Sequence, residues 1–375
     1  MRFKIKLKFF FLFLVLGGLD GSEFEDSELA LHHFMQGEFL MNQGNYSLAI
    51  LEFQDAIDLD PNASTIHVSI ADAYFKLGKI KRSKSHLEIA IELNPKENEA
   101  LEILGEIYIK SKEYKNAQII FKKLYDLNPS ELDYIFALAD LARIQKDWDL
   151  AIDYYIEGYN TDNIAINGLE QALQISIAIN DFNKAEYICE LLLIEQPENV
   201  KIVQTLIDLS VFNKNYDLSL KMLNKLENIN GVSTEIVIQK SVIYQELQDN
   251  EEALNVLLEL AKVDHQDIDI LDRIVNLFIE QKNNPQALIY NKQIIENFSE
   301  DPRGYINNAI IALGNKNPEA AVKSLEPNIK KFTNNFTLQY LLGTAYYQLK
   351  DYDNSKVYLN NALEIYPQSK NTKHN

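Results

Sequence analysis

A recurrence every 34 residues constrains this 375-residue chain more than any other feature. Pro61, Pro95 and Pro129 stand 34 apart, and Pro197 and Pro367 fall in the same phase. Position 1 of each unit can be set at residues 30, 64, 98, 132, 166, 200, 234, 268, 302 and 336. Position 20 then reads Ala49, Ser83, Ala117, Ala151, Ala185, Ser219, Ala253, Ala287, Ala321 and Ser355, small in all ten. Position 24 is mostly large and apolar, as at Phe53, Leu87, Phe121, Tyr155, Leu257 and Leu359. Position 17 carries Tyr46, Tyr114, Trp148, Phe182, Tyr216 and Tyr352, and position 8 carries Gly37, Ala71, Gly105, Ala139 and Gly343. A period of this size is one supersecondary unit. A lone unit cannot bury its apolar face, so its stability must come from stacked neighbours.

Each position has a physical reading. Small residues at positions 8 and 20 let two helices of a hairpin approach closely. Aromatic residues at 17 and 24 fill the space between hairpins. Proline at position 32 ends the second helix and cannot continue it. The pattern predicts helix A over positions 1–14 and helix B over 17–31, joined by a turn such as Gln43-Gly44-Asn45. With 46% hydrophobic residues, 13 Gly and 9 Pro, the composition suits a folded, helix-rich chain.

These residues resemble the tetratricopeptide-repeat family, and the resemblance runs over residues 30–369 without an insertion. It implies an all-α fold, a right-handed α-α superhelix (solenoid) of about ten tandem helical hairpins over residues 30–367. It also implies a non-catalytic scaffold that binds a protein or peptide. In that family helix A lines the concave face, with positions 2, 5, 9, 12 and 13 turned into the groove. Relatives that capture a C-terminal carboxylate use basic residues there. Position 5 here reads Phe34, Val68, Glu102, Phe136, Glu170, Gln204, Ile238, Asp272, Ile306 and Tyr340, none of them basic. A free C-terminal carboxylate is therefore not the expected ligand.

Position 9 reads Glu38, Asp72, Glu106 and Asp140 in the first four repeats. Phe34, Met41, Val68, Phe75, Ile109 and Phe136 lie three or four residues away, on the same helix faces. One reading is an acidic ladder between apolar pockets, suited to a segment with Lys or Arg and apolar anchors. The other is a solvated surface whose apolar residues pack between repeats.

Some repeats depart from the pattern. Position 8 is Leu173, Ile207, Ser241 and Val275 in repeats 5 to 8, which predicts wider hairpins. Repeat 9 carries Asn308, Pro318, Pro327 and Asn328; Pro327 is expected to kink helix B, which makes repeat 9 a candidate hinge. The last helix, about Tyr352 to Tyr366, has no capping helix after it, so it is expected to stay partly exposed or to dock on another chain.

The ends read differently. Arg2, Lys4, Lys6 and Lys8 precede the apolar run Phe9 to Leu16, and Gly17 and Gly18 follow. This is the layout of an export signal over residues 1–21, with cleavage near Gly21 or Ser22. The run is short for a bilayer span. An uncleaved signal would instead make the chain a membrane-tethered assembly factor. Residues 22–29 form an acidic segment and residues 368–375 a polar tail. The expected location is the periplasm or envelope of a bacterium, either as a scaffold or as a non-catalytic subunit of an envelope enzyme or export complex.

Formal net charge is −19, and an anionic surface repels nucleic acid and anionic lipid. The single cysteine, Cys189, excludes an internal disulfide. No phosphate-binding loop, dinucleotide fingerprint or nucleophile elbow is present, so no enzyme activity is expected. The histidines are His32, His33, His67, His86, His265 and His374. His33 and His67 share position 4 of adjacent repeats and could approach each other, but no cysteine or carboxylate motif completes a ligand set, so no metal or cofactor is expected.

Overall fold

The computed structural model describes residues 21–163, 165–263 and 267–367. All but Gly21 of the export signal read over residues 1–21, and the tail from residue 368, lie outside them. Among the described residues every regular element is helical. The contacts divide the chain into two units, residues 1–181 and 182–375.

In the first unit the helices are α1 (Gly21–Asn42), α2 (Tyr46–Leu59), α3 (Ser64–Lys76), α4 (Ile80–Leu93), α5 (Asn98–Lys110), α6 (Tyr114–Leu127), α7 (Leu132–Ile144), α8 (Trp148–Thr161) and α9 (Ile166–Ala178). In the second they are α10 (Phe182–Glu195), α11 (Val200–Phe212), α12 (Tyr216–Asn230), α13 (Thr234–Glu246), α14 (Asn250–Val263), α15 (Ile268–Glu280), α16 (Asn284–Asn297), α17 (Arg303–Gly314), α18 (Pro318–Leu325), α19 (Phe336–Gln348) and α20 (Tyr352–Ile365). Within each unit a helix packs on the next in sequence. Helix A mostly occupies positions 1–13 and helix B positions 17–30, within a residue or so of the predicted bounds. The acidic segment 22–29 is the start of α1, because it holds no proline and its acids favour a helix N-terminus.

The turn between helices A and B is the same in all ten repeats. Position 15 has positive φ throughout, at Gly44 and Gly78 and then at Lys112, Lys146, Asn180, Lys214, Gln248, Lys282, Lys316 and Lys350. Around it two N–H groups fold back onto helix A. In repeat 2, Gly78 N–H donates to Phe75 O at 2.9 Å and Lys79 N–H to Tyr74 O at 2.8 Å. This paired closure satisfies carbonyls that the helix end would leave bare. Eight non-glycine residues therefore adopt a left-handed conformation that their Cβ atoms disfavour.

The small residues act as expected. Position 20 is buried in every repeat, from Ala49 at 0% exposure to Ser355 at 3%. Position 8 meets position 24 across the hairpin. A Cβ added to Gly37 would lie 2.4 Å from the Phe53 ring, and one added to Gly105 2.8 Å from the Phe121 ring. The bulkier Ile207 and Val275 are also buried at this position.

Repeat 9 is irregular where its prolines predict. Pro318 opens α18, which spans eight residues, and a 3-10 turn over Glu326–Asn328 replaces the rest of helix B. At the last hairpin Leu359 and Ala362 are buried, whereas Val357 and Tyr366 are exposed. No helix among the described residues is long and apolar enough to cross a membrane.

Candidate functional site

Helices α5 and α7 are the A helices of repeats 3 and 4, and a groove of about 710 Å³ runs along them. Carboxylates line it at Glu102, Glu106, Glu131, Asp133 and Asp140, against a single cation, Arg143. Apolar lining comes from Ile109, Phe136, Ala137, Leu141 and Ile144. Helical spacing explains the clustering, since residues three or four apart share a face. Glu102, Glu106 and Ile109 follow that spacing on α5, as do Phe136, Asp140 and Arg143 on α7.

Two of the acids are anchored and three are free. Tyr134 OH donates to Glu102, and burial together with this bond pushes the phenol upward. Tyr155 OH donates to Asp140 Oδ1 at 2.6 Å, and its phenol is pushed up to about 12, first by burial and then by this bond. Arg143 Nη2 donates to the same Asp140 oxygen at 3.1 Å. The carboxylates of Glu106, Glu131 and Asp133 are exposed and have no partner among the described residues. The groove therefore presents unneutralised negative charge beside apolar surface. A second groove of about 680 Å³ in the other unit carries Lys201, Gln204, Asp208 and Glu235, a mixed set with no such bias.

Four of the ten expected site residues meet in the α5–α7 groove: Glu106, Ile109, Phe136 and Asp140. Phe136 has a packing role as well. Its ring fits against Gly158 of α8 and Gly168 of α9, where a Cβ would approach to 2.8 Å. The other six are elsewhere. Val68 at 2% and Phe75 at 7% exposure belong to the core, which corrects the expectation that they line a groove. Core residues of α5 cover them, and Lys110 Nζ sits 3.9 Å above the Phe75 ring. Phe34 packs on Phe53 at 5.8 Å between ring centroids and borders a crevice of about 30 Å³. Met41 is half-buried against the first hairpin's core. Glu38 accepts from Ser69 Oγ at 2.6 Å, and Asp72 faces Lys76 at 3.7 Å along its own helix.

Glu102, Glu131, Asp133 and Arg143 join the groove from outside the ten expected residues. Three of them had a signal: Asp133 stands at position 2, Glu102 at position 5 and Arg143 at position 12, all named as groove positions. Glu131 precedes helix A, and its inclusion depends on the fold.

The histidines take local partners. His33 and His67 do not pair with each other. Each meets position 23 of its own hairpin, His33 Nδ1 to Glu52 Oε2 at 2.8 Å and His67 Nδ1 to His86 Nδ1 at 3.1 Å. Cys189 is fully buried, and burial above all pushes its thiol up to about 12. Such a group is a packing residue rather than a nucleophile.

Comparison with known families accords with this geometry. Residues 37–78 match a family described as TPR repeat, and residues 68–131 and 336–369 match families described as tetratricopeptide repeat. Over those residues the hairpins match tetratricopeptide repeats. Among solved structures, yeast Tom70 is similar at 13% identity, covering 90% of this chain and 92% of that one, with a TM-score of 0.40. PilF of Pseudomonas aeruginosa is similar at 12% identity, covering 68% and 99%, with a TM-score of 0.34. YrrB, described as a TPR protein with an unusual peptide-binding site, is similar at 16% identity, covering 49% and 94%, with a TM-score of 0.35. No curated protein matches. Tetratricopeptide repeats generally serve as protein-interaction modules.

Proposed function

We propose that this chain is an exported, non-catalytic interaction scaffold whose α5–α7 groove takes a partner segment carrying Lys or Arg between apolar side chains. The observation that carries the reading is the charge of the groove: five carboxylates against one guanidinium, three of the acids unpaired, beside an apolar strip. Carboxylates already anchored by Tyr134 and Tyr155 need little reordering when a cation arrives, which lowers the cost of binding. The apolar lining supplies affinity, and the acids supply orientation and rate of encounter.

The test reverses only the free charges, in a Glu106→Lys, Glu131→Lys, Asp133→Lys triple variant. All three side chains are exposed, so the fold is expected to survive, and circular dichroism checks this. Fluorescence anisotropy against a panel of basic-apolar, acidic-apolar and neutral peptides then reads affinity. The native chain should prefer the basic-apolar set, more weakly at high salt. The variant should lose about tenfold or more. Equal affinity for all three sets, or no change in the variant, discards the groove as the binding surface.

Export rests on the charged start and apolar run at residues 2–16. Removing residues 1–21 leaves 32 Lys and Arg against 54 Asp and Glu, a formal charge of −22. Cell fractionation with N-terminal sequencing checks it. A mature chain beginning near Gly21 or Ser22 is the expected result. An intact Met1 in the membrane fraction would make the scaffold a tethered one, and a cytosolic chain would end the export reading.

A further inference from the structure

The first hairpin holds a cluster that the groove does not use. His33 on α1 places Nδ1 2.8 Å from Glu52 Oε2 on α2. Asp55 lies three residues along α2, on the same face as Glu52. One ligand atom from each of the three side chains lies within 4.8 Å of the other two. His33 and Glu52 are about a quarter to a third exposed, at 26% and 31%, and Asp55 is exposed, so the cluster is open to solvent.

Charge supplies a second and independent observation. No Lys or Arg occurs anywhere from residue 9 to residue 75, while residues 21–60 carry nine carboxylates. Some acids elsewhere have basic partners, as in Lys122 with Asp126, Arg303 with Asp301 and Lys331 with Glu300. Glu52 and Asp55 have none among the described residues, and Glu52 has only the His33 imidazole. The cluster is one imidazole and two carboxylates with no Lys or Arg beside them among the described residues.

The donor chemistry selects the ion. One imidazole nitrogen with two carboxylate oxygens suits a borderline divalent cation such as Zn²⁺. Calcium and magnesium prefer oxygen ligands alone, and more of them. Zinc sits about 2.0–2.2 Å from such donors, so ligand atoms spread over a few ångströms close onto it by small side-chain rotations. We propose that His33, Glu52 and Asp55 form a site for one divalent transition-metal cation of the Zn²⁺ class, which ties α1 to α2. The fourth position is left to water or to a group from a partner.

The experiment uses the full chain without a polyhistidine tag, stripped with chelator and then titrated with ZnCl₂ by isothermal calorimetry. One saturable ion per chain is expected, with a matching rise in melting temperature. His33→Ala and Asp55→Asn should each weaken that site by about tenfold or more and remove the thermal shift. Asp55→Asn is conservative and exposed, so it keeps the test valid should the His33 variant fold poorly. His32→Ala, an exposed neighbour outside the cluster, should leave binding unchanged. Absence of saturable binding at about 0.1 mM zinc would overturn the proposal. So would several weak ions whose binding ignores the His33 and Asp55 variants, since that pattern is diffuse attraction to an acidic surface.

Discussion

Gly105→Ala tests the packing rule behind every hairpin. A Cβ at Gly105 would stand 2.8 Å from Phe121 Cε2 and 3.1 Å from Cζ. A relaxed carbon contact needs about 3.5–4.0 Å, so the ring must yield by about 1 Å. Phe121 is only 8% exposed and belongs to a core cluster with Leu104, Ala117 and Leu124, which restricts its escape. Overpacking costs about 1–3 kcal/mol, and alanine's helix propensity over glycine returns about 1 kcal/mol. The single variant should therefore lose about 0–2 kcal/mol. Repeat 2 carries the alternative solution at the equivalent positions, with Ala71 and Leu87 both fully buried. Phe121→Leu alone should cost about 1 kcal/mol through the space it leaves, and combining it with Gly105→Ala should recover about 1 kcal/mol of the summed loss. Stacked repeats do not unfold as one two-state body, so amide hydrogen exchange of α5 and α6 is the appropriate assay. If the two singles simply add, within about 0.5 kcal/mol, positions 8 and 24 are not the coupled pair described here.

The turn geometry predicts that Lys282→Gly stabilises the chain by about 0.5–1 kcal/mol in thermal melts, because glycine tolerates the left-handed φ of 58°. Gly78→Ala should destabilise by a similar amount, about 1 kcal/mol. Burial lowers the His67 and His86 imidazoles below 6.5, with the neighbouring His67 adding to the effect on His86. A depressed folded value means the stabilisation is present above 6.5 and is lost as pH falls, so melting temperature should drop between pH 7.5 and 5.5 and less so in a His67→Leu, His86→Phe variant. Lys240 is 8% exposed and meets Glu227 at 2.7 Å, at a position that is Leu104, Leu138, Leu206 or Leu342 in other repeats. Lys240→Ala should cost about 1–3 kcal/mol and Lys240→Leu far less, read from urea midpoints, since the half-buried Glu227 can return to water. Cys189 should resist thiol reagents at neutral pH until the chain unfolds; rapid labelling of the native chain would refute its burial.

Much of the fold was legible because its determinants are local. The helix starts at Tyr46, Ile80 and Tyr114 follow from a 34-residue phase set by small residues and prolines, and each hairpin closes between segments adjacent in sequence. The turn was only partly legible. Gly44 and Gly78 announce the left-handed position, whereas the lysines that replace them in later repeats carry no such signal. The site was less legible still. Val68 and Phe75 share helix positions with residues expected at a groove, yet the α5 side chains cover them.

By itself the sequence determined the element order, most helix bounds and the irregularity of repeat 9, because helix formation and termination depend on neighbours a few residues away. Only the tertiary structure decided which acids share a groove, that His33 meets Glu52 rather than His67, and that Phe136 reaches Gly158 and Gly168. Those outcomes depend on how side chains from separate helices interlock. Equivalent repeat positions meet different neighbours, and a repeating pattern cannot encode that difference.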